Sequence, residues 1–363
     1  MSIRSSYYPW LLATGVSLWY RQKMGGNNKE QRYTGLQALR AIAALLVVIQ
    51  HVGYFSGLAT GSDTLGFRHL QLGTTGVFIF FVISGAVMAL VSKEAPTAFA
   101  LARLTRIYPA FFLALVFAYV VLWIAGTRPH VGPDASLLLL PTGDLNSTFN
   151  IPYWTLIYEM QFYFLLWIAL LCRTSHLVRM WLAVGWAAII LVVAAAGVRV
   201  PVPNPTAIQI PFVGVNVFFV IGYVMASGMM TKDWRPFFTL VFLTSIMSLY
   251  ANAWSGTYLG LAVLSASAVF VALKIDSGLV PKWLAKAGDY SYGLYLAHLS
   301  IISAIYTLAP GWPLWAMVVT MLCAGLAGGL LFGPLEQWLY VRYWRPIAKW
   351  AYLVSPVAQA QAS

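Results

Sequence analysis

Five charged or histidine side chains fall within the long apolar runs of this sequence. Arg40, His51, Glu159 and His298 are inside such runs, and Asp289 is at the edge of one. Where an apolar run crosses a membrane, an ionisable group is costly unless it is paired, so such groups mark functional sites. The alternative for Arg40 or Glu159 is a structural ion pair between two helices. The alternative for His298 is a core histidine bonded to a backbone carbonyl.

Arg40 and His51 are spaced to share one face of a helix. They are eleven residues apart, close to three turns, which separates them by roughly 16 Å along the helix axis. Glu159 lies about 9 Å from the start of its own run, at a depth similar to that of His51. A carboxylate beside an imidazole fixes its tautomer and raises its basicity. His51 and Glu159 are therefore predicted to be catalytic, with His51 as the general base and Glu159 as its orienting partner.

Two arginines, Arg103 and Arg106, directly precede another apolar run that begins with Ile-Tyr-Pro. At a spacing of three residues, both side chains point the same way on a helix. Paired guanidinium groups at a membrane surface suit a phosphate-bearing ligand, because each binds phosphate oxygens in a bidentate manner. The alternatives are a topology signal and contact with lipid headgroups.

The elements that position these residues must lie in a lipid bilayer. Of 363 residues only 9% are charged and 60% are hydrophobic, and the mean hydropathy is +0.76. Soluble domains carry about 25% charged residues, so the sequence predicts an all-α polytopic membrane protein without a soluble catalytic domain. Cys172 and Cys323 lie apart in apolar runs, which predicts neither a disulfide nor a metal site.

Windows of about 20 apolar residues predict ten transmembrane helices. They cover residues 36–57, 72–92, 107–125, 153–172, 180–198, 210–229, 237–253, 256–273, 289–309 and 314–333. The division between the seventh and eighth spans is the least distinct. No internal repeat is visible, although inverted repeats are common in secondary transporters.

The basic residues indicate the orientation of these spans. With ten spans, 19 of the 22 lysine and arginine residues fall on the side of the termini and 3 on the other side. Because basic residues accumulate on the cytoplasmic side, both termini are predicted to be cytoplasmic. The net charge of +12 thus reflects topology, and no nucleic-acid partner is expected.

Five stretches resemble the acyltransferase-3 family of bacterial membrane O-acyltransferases. They are 36–40 with His51, 76–85, 103–109, 154–163 and 290–298. The third matches the family's Arg-x-x-Arg followed by Ile-Tyr-Pro, and the fourth its Trp-Ser-Leu-x-x-Glu-x-x-Phe-Tyr, with Thr155 in place of the commoner serine. The family's C-terminal Glu-x-Pro has only a loose counterpart near Glu336. The alternative for Glu336 is an ion pair with a cytoplasmic arginine.

The resemblance implies transfer of an acyl group, commonly acetyl, from cytoplasmic acetyl-CoA to a hydroxyl of a carbohydrate outside the cytoplasm. Arg40, Arg103 and Arg106 are then expected to hold the donor, and His51 with Glu159 to perform the chemistry. Direct transfer and an acyl-enzyme relay both remain open. Residues expected to bind substrate are Trp154, Tyr292, Tyr295 and His298.

The acceptor implied is an exopolysaccharide repeat unit or another lipid-linked glycan, and the location is the bacterial inner membrane. The expected organisation is a cytoplasmic or interfacial segment at 1–35, with a short helix at 7–20, a transmembrane acyltransferase domain at 36–333, and a cytoplasmic tail at 334–363. No cleaved signal peptide and no appended hydrolase-like domain are expected. The alternatives are an ion-coupled transporter, another acyl donor such as succinyl, and a lipid or small-metabolite acceptor.

Overall fold

The computed structural model describes residues 34–61, 70–92, 95–127, 134–143, 151–198, 200–203, 205–250 and 256–353. Within these residues the protein is all-α. Its helices are α1 Thr34–Thr60, α2 Leu72–Val91, α3 Pro96–Ile124, α4 Tyr153–Leu171, α5 His176–Ala195, α6 Asn216–Thr231, α7 Arg235–Tyr250, α8 Gly256–Lys274, α9 Lys282–Asp289, α10 Ser291–Leu308, α11 Leu314–Leu339 and α12 Arg345–Leu353. A π-helical turn, Tyr340–Trp344, joins the last two. The expected helix at 7–20 lies outside the described residues.

Eight of the described helices are long and apolar enough to cross a membrane. Two shorter apolar helices, α6 and α7, coincide with the sixth and seventh spans expected from the sequence. The prediction of an all-α polytopic membrane protein is confirmed. Among the described α-helices only the short α9 lies wholly outside this set, since the last of the eight spans runs from Leu314 to Ala348 and includes the start of α12.

Helix ends differ from the expected spans where polar residues continue a helix beyond its apolar part. Helix α3 begins at Pro96, eleven residues before the expected span, so Arg103 and Arg106 lie within the helix. Proline suits the first turn of a helix because its missing N–H needs no partner there. Helix α11 likewise runs through Pro334 to Leu339 and includes Glu336. Hydropathy therefore located the apolar parts and missed these helical extensions.

Helix α2 is the centre of the bundle, and 67% of its most apolar window is buried. It packs closely on α6 through two small residues, Gly85 and Gly222, each of which faces a backbone carbonyl of the other helix. Beside this crossing the rings of Phe81 and Phe219 stack with centroids 4.4 Å apart. Small residues that let backbones approach are a usual device for packing helices in lipid.

A second close approach fixes α9 against α1. A side chain at Gly288 would overlap the backbone carbonyl of Gln37. This contact holds Asp289, the last residue of α9, beside the inner turns of α1.

We expect Gly222→Ala to destabilise the protein, because the added methyl group would overlap the backbone of Val82 and Ala86. Overpacking of this kind costs about 1–3 kcal/mol, so the melting temperature in detergent should fall. Gly185→Ala is the matched control, since a methyl group at that helical glycine meets no neighbouring atom. Equal melting temperatures for the two variants would contradict the close crossing of α2 and α6.

Candidate active site

A cavity of about 210 Å³ lies between α1, α2, α3, α4 and α10. At roughly 10–15 Å³ per water molecule, it is large enough to admit a ligand. On α2 its lining extends from Val77 to Leu90, a rise of about 20 Å. At one end it is lined by Gln337 and Tyr340, and at the other by Thr155 in the first turn of α4. The cavity therefore runs through much of the length of the bundle.

Most of the residues expected to form the site line this cavity. They are Arg40, Arg103, Arg106, Glu159, Tyr292 and Tyr295. Three others, His51, His298 and Trp154, do not line it. The Trp154 ring instead packs edge-on against Phe81 and Tyr158.

The carboxylate of Glu159 is held by two hydroxyl groups. Ser84 Oγ on α2 donates to Oε1 over 3.2 Å, and the Tyr163 hydroxyl donates to the same oxygen from one turn along α4. Among the described residues no hydrogen bond joins Glu159 to His51. The structure thus gives His51 and Glu159 different hydrogen-bond partners: helical rise estimated the depth of the two residues but not the directions in which their helices face.

The partner of His51 is His298. Nε2 of His298 lies 3.2 Å from Nδ1 of His51, and the ring centroids are 5.0 Å apart. Nδ1 of His51 is also 2.9 Å from the carbonyl oxygen of Val47, and Nδ1 of His298 is 3.1 Å from that of Leu294. His298 therefore contacts a backbone carbonyl, as in the alternative given for it from the sequence, and it also contacts His51.

Tyr295 separates the cavity from this histidine pair. Its hydroxyl shares a 2.8 Å hydrogen bond with Thr155 of α4. Its ring lies 5.6 Å from that of Phe80 and 5.9 Å from that of His298, between centroids. Tyr295 thus belongs to the cavity lining, while its ring also contacts His298.

Arg106 forms an ion pair with Glu336 of α11, whose side chain is only 2% exposed. Its guanidinium carbon lies 4.5 Å from the ring centroid of Tyr292 and 4.7 Å from that of Tyr340. Pairing of Glu336 with an arginine on the predicted cytoplasmic side is therefore present. Arg106 is neutralised, so the two arginines of the Arg-x-x-Arg motif are not equivalent.

Arg103 and Arg40 have no direct ion pair among the described residues. The Arg103 guanidinium is buried between the rings of Phe99 and Tyr163, at 5.7 and 5.8 Å from their centroids, and its Nε has no hydrogen-bond partner. Arg40 interacts electrostatically with Glu159 and Asp289 without contacting either of them directly. Neither guanidinium group is held in a direct ion pair, so both can bind an anionic ligand in the cavity.

Sequence reasoning missed several polar residues of the cavity. Oε1 of Gln37 and Oδ1 of Asp289 are buried without hydrogen-bond partners, and both residues line the cavity. Asp289 is at the edge of an apolar run, and Gln37 lies three residues before Arg40 in the first of the family-like stretches. Ser84 and Tyr163 lie in the stretches 76–85 and 154–163 that resemble the family, and this is the sequence signal that identifies them.

Asp289 lies in α9, outside the membrane-spanning helices. Burial raises the pKa of its carboxyl group to about 6, against the opposing effects of Arg40 and Lys286. The charge at this end of the cavity therefore changes between about pH 5 and pH 7. Among the described residues no group of three or more potential metal ligands is present.

Comparison with known proteins decides the family. Residues 33–333 match the acyltransferase-3 family model, described as an acyltransferase domain. The chain belongs to this family. It is similar to a Streptomyces mycarofaciens protein named acyltransferase MdmB, with 27% identity over 359 residues, covering 84% of this chain and 91% of the relative. No solved structure matches. The protein is therefore a membrane acyltransferase of the acyltransferase-3 family, which favours acyl transfer over the carrier alternative.

We expect Arg106→Ala to lower the melting temperature, because it leaves the buried Glu336 carboxylate without its ion pair. Breaking a buried pair costs about 3–5 kcal/mol. The double variant Arg106→Ala/Glu336→Gln should recover much of this loss, since no buried charge remains unpaired. Arg235→Ala is the control, because its ion pair with Asp233 has a 75% exposed arginine and surface pairs contribute little. Equal losses in the single and double variants would contradict this assignment.

Proposed function

We propose that this membrane acyltransferase transfers an acetyl group from acetyl-CoA to a hydroxyl of an extracytoplasmic or lipid-linked glycan. The observation that supports this proposal is the long cavity with two unpaired arginines, Arg40 and Arg103, toward one end. A nucleotide-bearing thioester is an anion joined to a long flexible arm, which matches a cavity of this shape and charge.

The cationic end of the cavity is assigned to the cytoplasm. The distribution of basic residues, 19 against 3, supports this orientation because positive charge accumulates on the cytoplasmic side. Both termini then lie in the cytoplasm and the protein resides in the bacterial inner membrane. The donor enters from its site of synthesis, and the far end of the cavity faces the opposite side.

Arg103 and Arg40 hold the donor phosphates in this proposal. Arg103 is preferred to Arg106, because Arg106 already forms an ion pair with Glu336. Hydrogen bonds from a guanidinium to phosphate are stronger than neutral ones. The arm of the donor then runs along α2 past Glu159, with the thioester at the wall formed by Tyr295.

His51 is the general base of the proposed reaction. Its Nε2 takes the proton of the acceptor hydroxyl while the hydroxyl oxygen bonds to the acyl carbon. The carbon–sulfur bond of the thioester breaks, and the proton passes from His51 to the departing thiolate. Access from the cavity to His51 requires the Tyr295 side chain to move, and the hydrogen bond to Thr155 holds it in its present position.

An exopolysaccharide repeat unit is the acceptor we propose. The half-buried Trp154 at the start of α4 is the aromatic side chain that we assign to stacking on a sugar ring. A succinyl donor or a lipid acceptor would use the same cavity and the same base, so product analysis distinguishes these choices.

Two variants separate donor binding from chemistry. We expect His51→Ala to lose transfer by at least about a hundredfold while it binds acetyl-CoA normally, because the donor is held at the arginines. We expect Arg103→Ala to weaken acetyl-CoA binding by roughly ten- to a hundredfold, since a charge-assisted bond contributes about 1.5–3 kcal/mol. Binding is measured by calorimetry on protein in nanodiscs, and transfer by mass spectrometry of glycans supplied with isotope-labelled acetyl-CoA.

Arg235→Ala is the control for charge, because this arginine is exposed and lies outside the cavity. Arg103→Lys should recover binding only in part, because lysine lacks the bidentate fork. Substantial transfer by His51→Ala would remove the proposed base. If Arg103→Ala binds acetyl-CoA as the wild type does, Arg103 serves as a topology signal and does not hold the donor.

Donor binding should also depend on the charge of Asp289. Because the pKa of its carboxyl is raised to about 6, the group is mostly neutral at pH 5 and mostly ionised at pH 7. An ionised carboxylate repels donor phosphates, so affinity for acetyl-CoA should rise by up to about tenfold as pH falls, the equivalent of one pKa unit. Asp289→Asn cannot ionise, so its affinity for acetyl-CoA should not show this rise at low pH. Identical pH profiles of affinity for the variant and the wild type would exclude an effect of the Asp289 charge on donor binding.

A further inference from the structure

We infer that His298 is the positioning residue for His51: the geometry assigns it the role of holding the imidazole of the base in one tautomer. This inference rests on the proposed function, in which His51 is the general base. His298 lies on α10 and is fully buried, 247 residues from His51 in sequence. Because it is fully buried and does not line the cavity, its side chain acts through His51.

The tautomer of His298 follows from its backbone contact. Nδ1 lies 3.1 Å from the carbonyl oxygen of Leu294, and a carbonyl oxygen can only accept a hydrogen bond. Nδ1 therefore carries the proton, and Nε2 of the neutral ring is left with its lone pair. That lone pair is 3.2 Å from Nδ1 of His51.

The same reasoning assigns the proton on His51. Its Nδ1 is 2.9 Å from the carbonyl oxygen of Val47, so Nδ1–H donates both to this oxygen and to Nε2 of His298. Two acceptors then hold one N–H, which fixes the tautomer of the ring. Nε2 of His51 keeps its lone pair and has no hydrogen-bond partner among the described residues, as a general base requires.

The surroundings of the pair restrict both rings. An apolar cluster formed by residues of α1, α10 and α11 packs around this level of the bundle, with Val48, Val52, Ile302, Met317 and Met321 as its buried members. The rings meet at an angle of 57° with centroids 5.0 Å apart. The two imidazoles are therefore carried by closely packed helices.

His298 is a neutral hydrogen-bond acceptor, so it affects the proton on His51 differently from a carboxylate. When Nε2 of His51 takes the proton of the acceptor hydroxyl, the ring becomes an imidazolium whose Nδ1–H still donates to Val47 and His298. No negative charge among its partners retains the added proton, so it passes readily to the thiolate released when the carbon–sulfur bond breaks. His298 neither gains nor loses a proton in this sequence.

The test compares two substitutions of His298 in protein reconstituted in nanodiscs. We expect His298→Leu to lower kcat by about ten- to a hundredfold, part of the 10²–10⁴ that a positioned base contributes, with KM for acetyl-CoA unchanged. His298→Gln should lose less, because its side-chain oxygen can accept from Nδ1–H of His51. The double variant His51→Ala/His298→Leu should be no slower than His51→Ala, as expected for groups that act as a unit.

Ser300→Ala is the control on the same helix, because this buried hydroxyl donates only to the carbonyl of Ala297, at 2.9 Å. It should leave kcat unchanged. Nitrogen-15 NMR of the wild-type protein gives a readout that does not depend on any variant folding. We expect the proton on Nδ1 and a bare Nε2 in both His51 and His298.

The outcomes distinguish this inference from the proposed function. A wild-type spectrum with the proton on Nε2 of His298, or a normal kcat in folded His298→Leu, overturns the positioning role while leaving His51 as the base. Equal losses in His298→Leu and His298→Gln overturn it as well, because they indicate packing alone. Rapid turnover by His51→Ala overturns both.

Discussion

The cost of an uncompensated charge inside a bilayer governs how the interior of this protein is arranged. Water cannot satisfy a buried ion at that depth, so each ionisable group needs partners from the protein. Arg106 has Glu336 and two aromatic rings, and Glu159 has two hydroxyl donors. Arg40 and Arg103 lack such direct partners and line the cavity instead. The place where compensation is incomplete is therefore the place where an anionic ligand is expected.

Close helix packing sets the shape of that place. The crossing of α2 and α6 at Gly85 and Gly222 fixes the helix that forms the longest side of the cavity. The contact of Gly288 with α1 brings Asp289 to the end where Arg40 lies. Small residues thus determine the distances between charges, because without a Cβ two backbones can approach and carry their neighbouring side chains with them.

The sequence predicted that the Glu159 carboxylate and the His51 imidazole act together, but the structure places them in different surroundings. Glu159 lies in the cavity wall, where its charge faces Arg40, whereas His51 is paired with His298 behind Tyr295. In the proposed reaction, binding of a charged donor and removal of a proton therefore use different sets of side chains. The separation fits that proposal, because a strong negative charge beside the proposed base would hold the proton that the thiolate must receive.

The sequence by itself determined the fold class, the positions of the apolar helices and most of the charged residues that line the cavity. These follow from local properties: hydropathy over about 20 residues and the rarity of ions in apolar runs. Pairing was decided only by the tertiary structure. His51 faces a histidine 247 residues away, and Arg106 faces a glutamate 230 residues away. Helical rise predicts how deep a side chain lies, but its partner depends on how each helix is rotated and which helix packs beside it, and those follow from packing across the whole bundle.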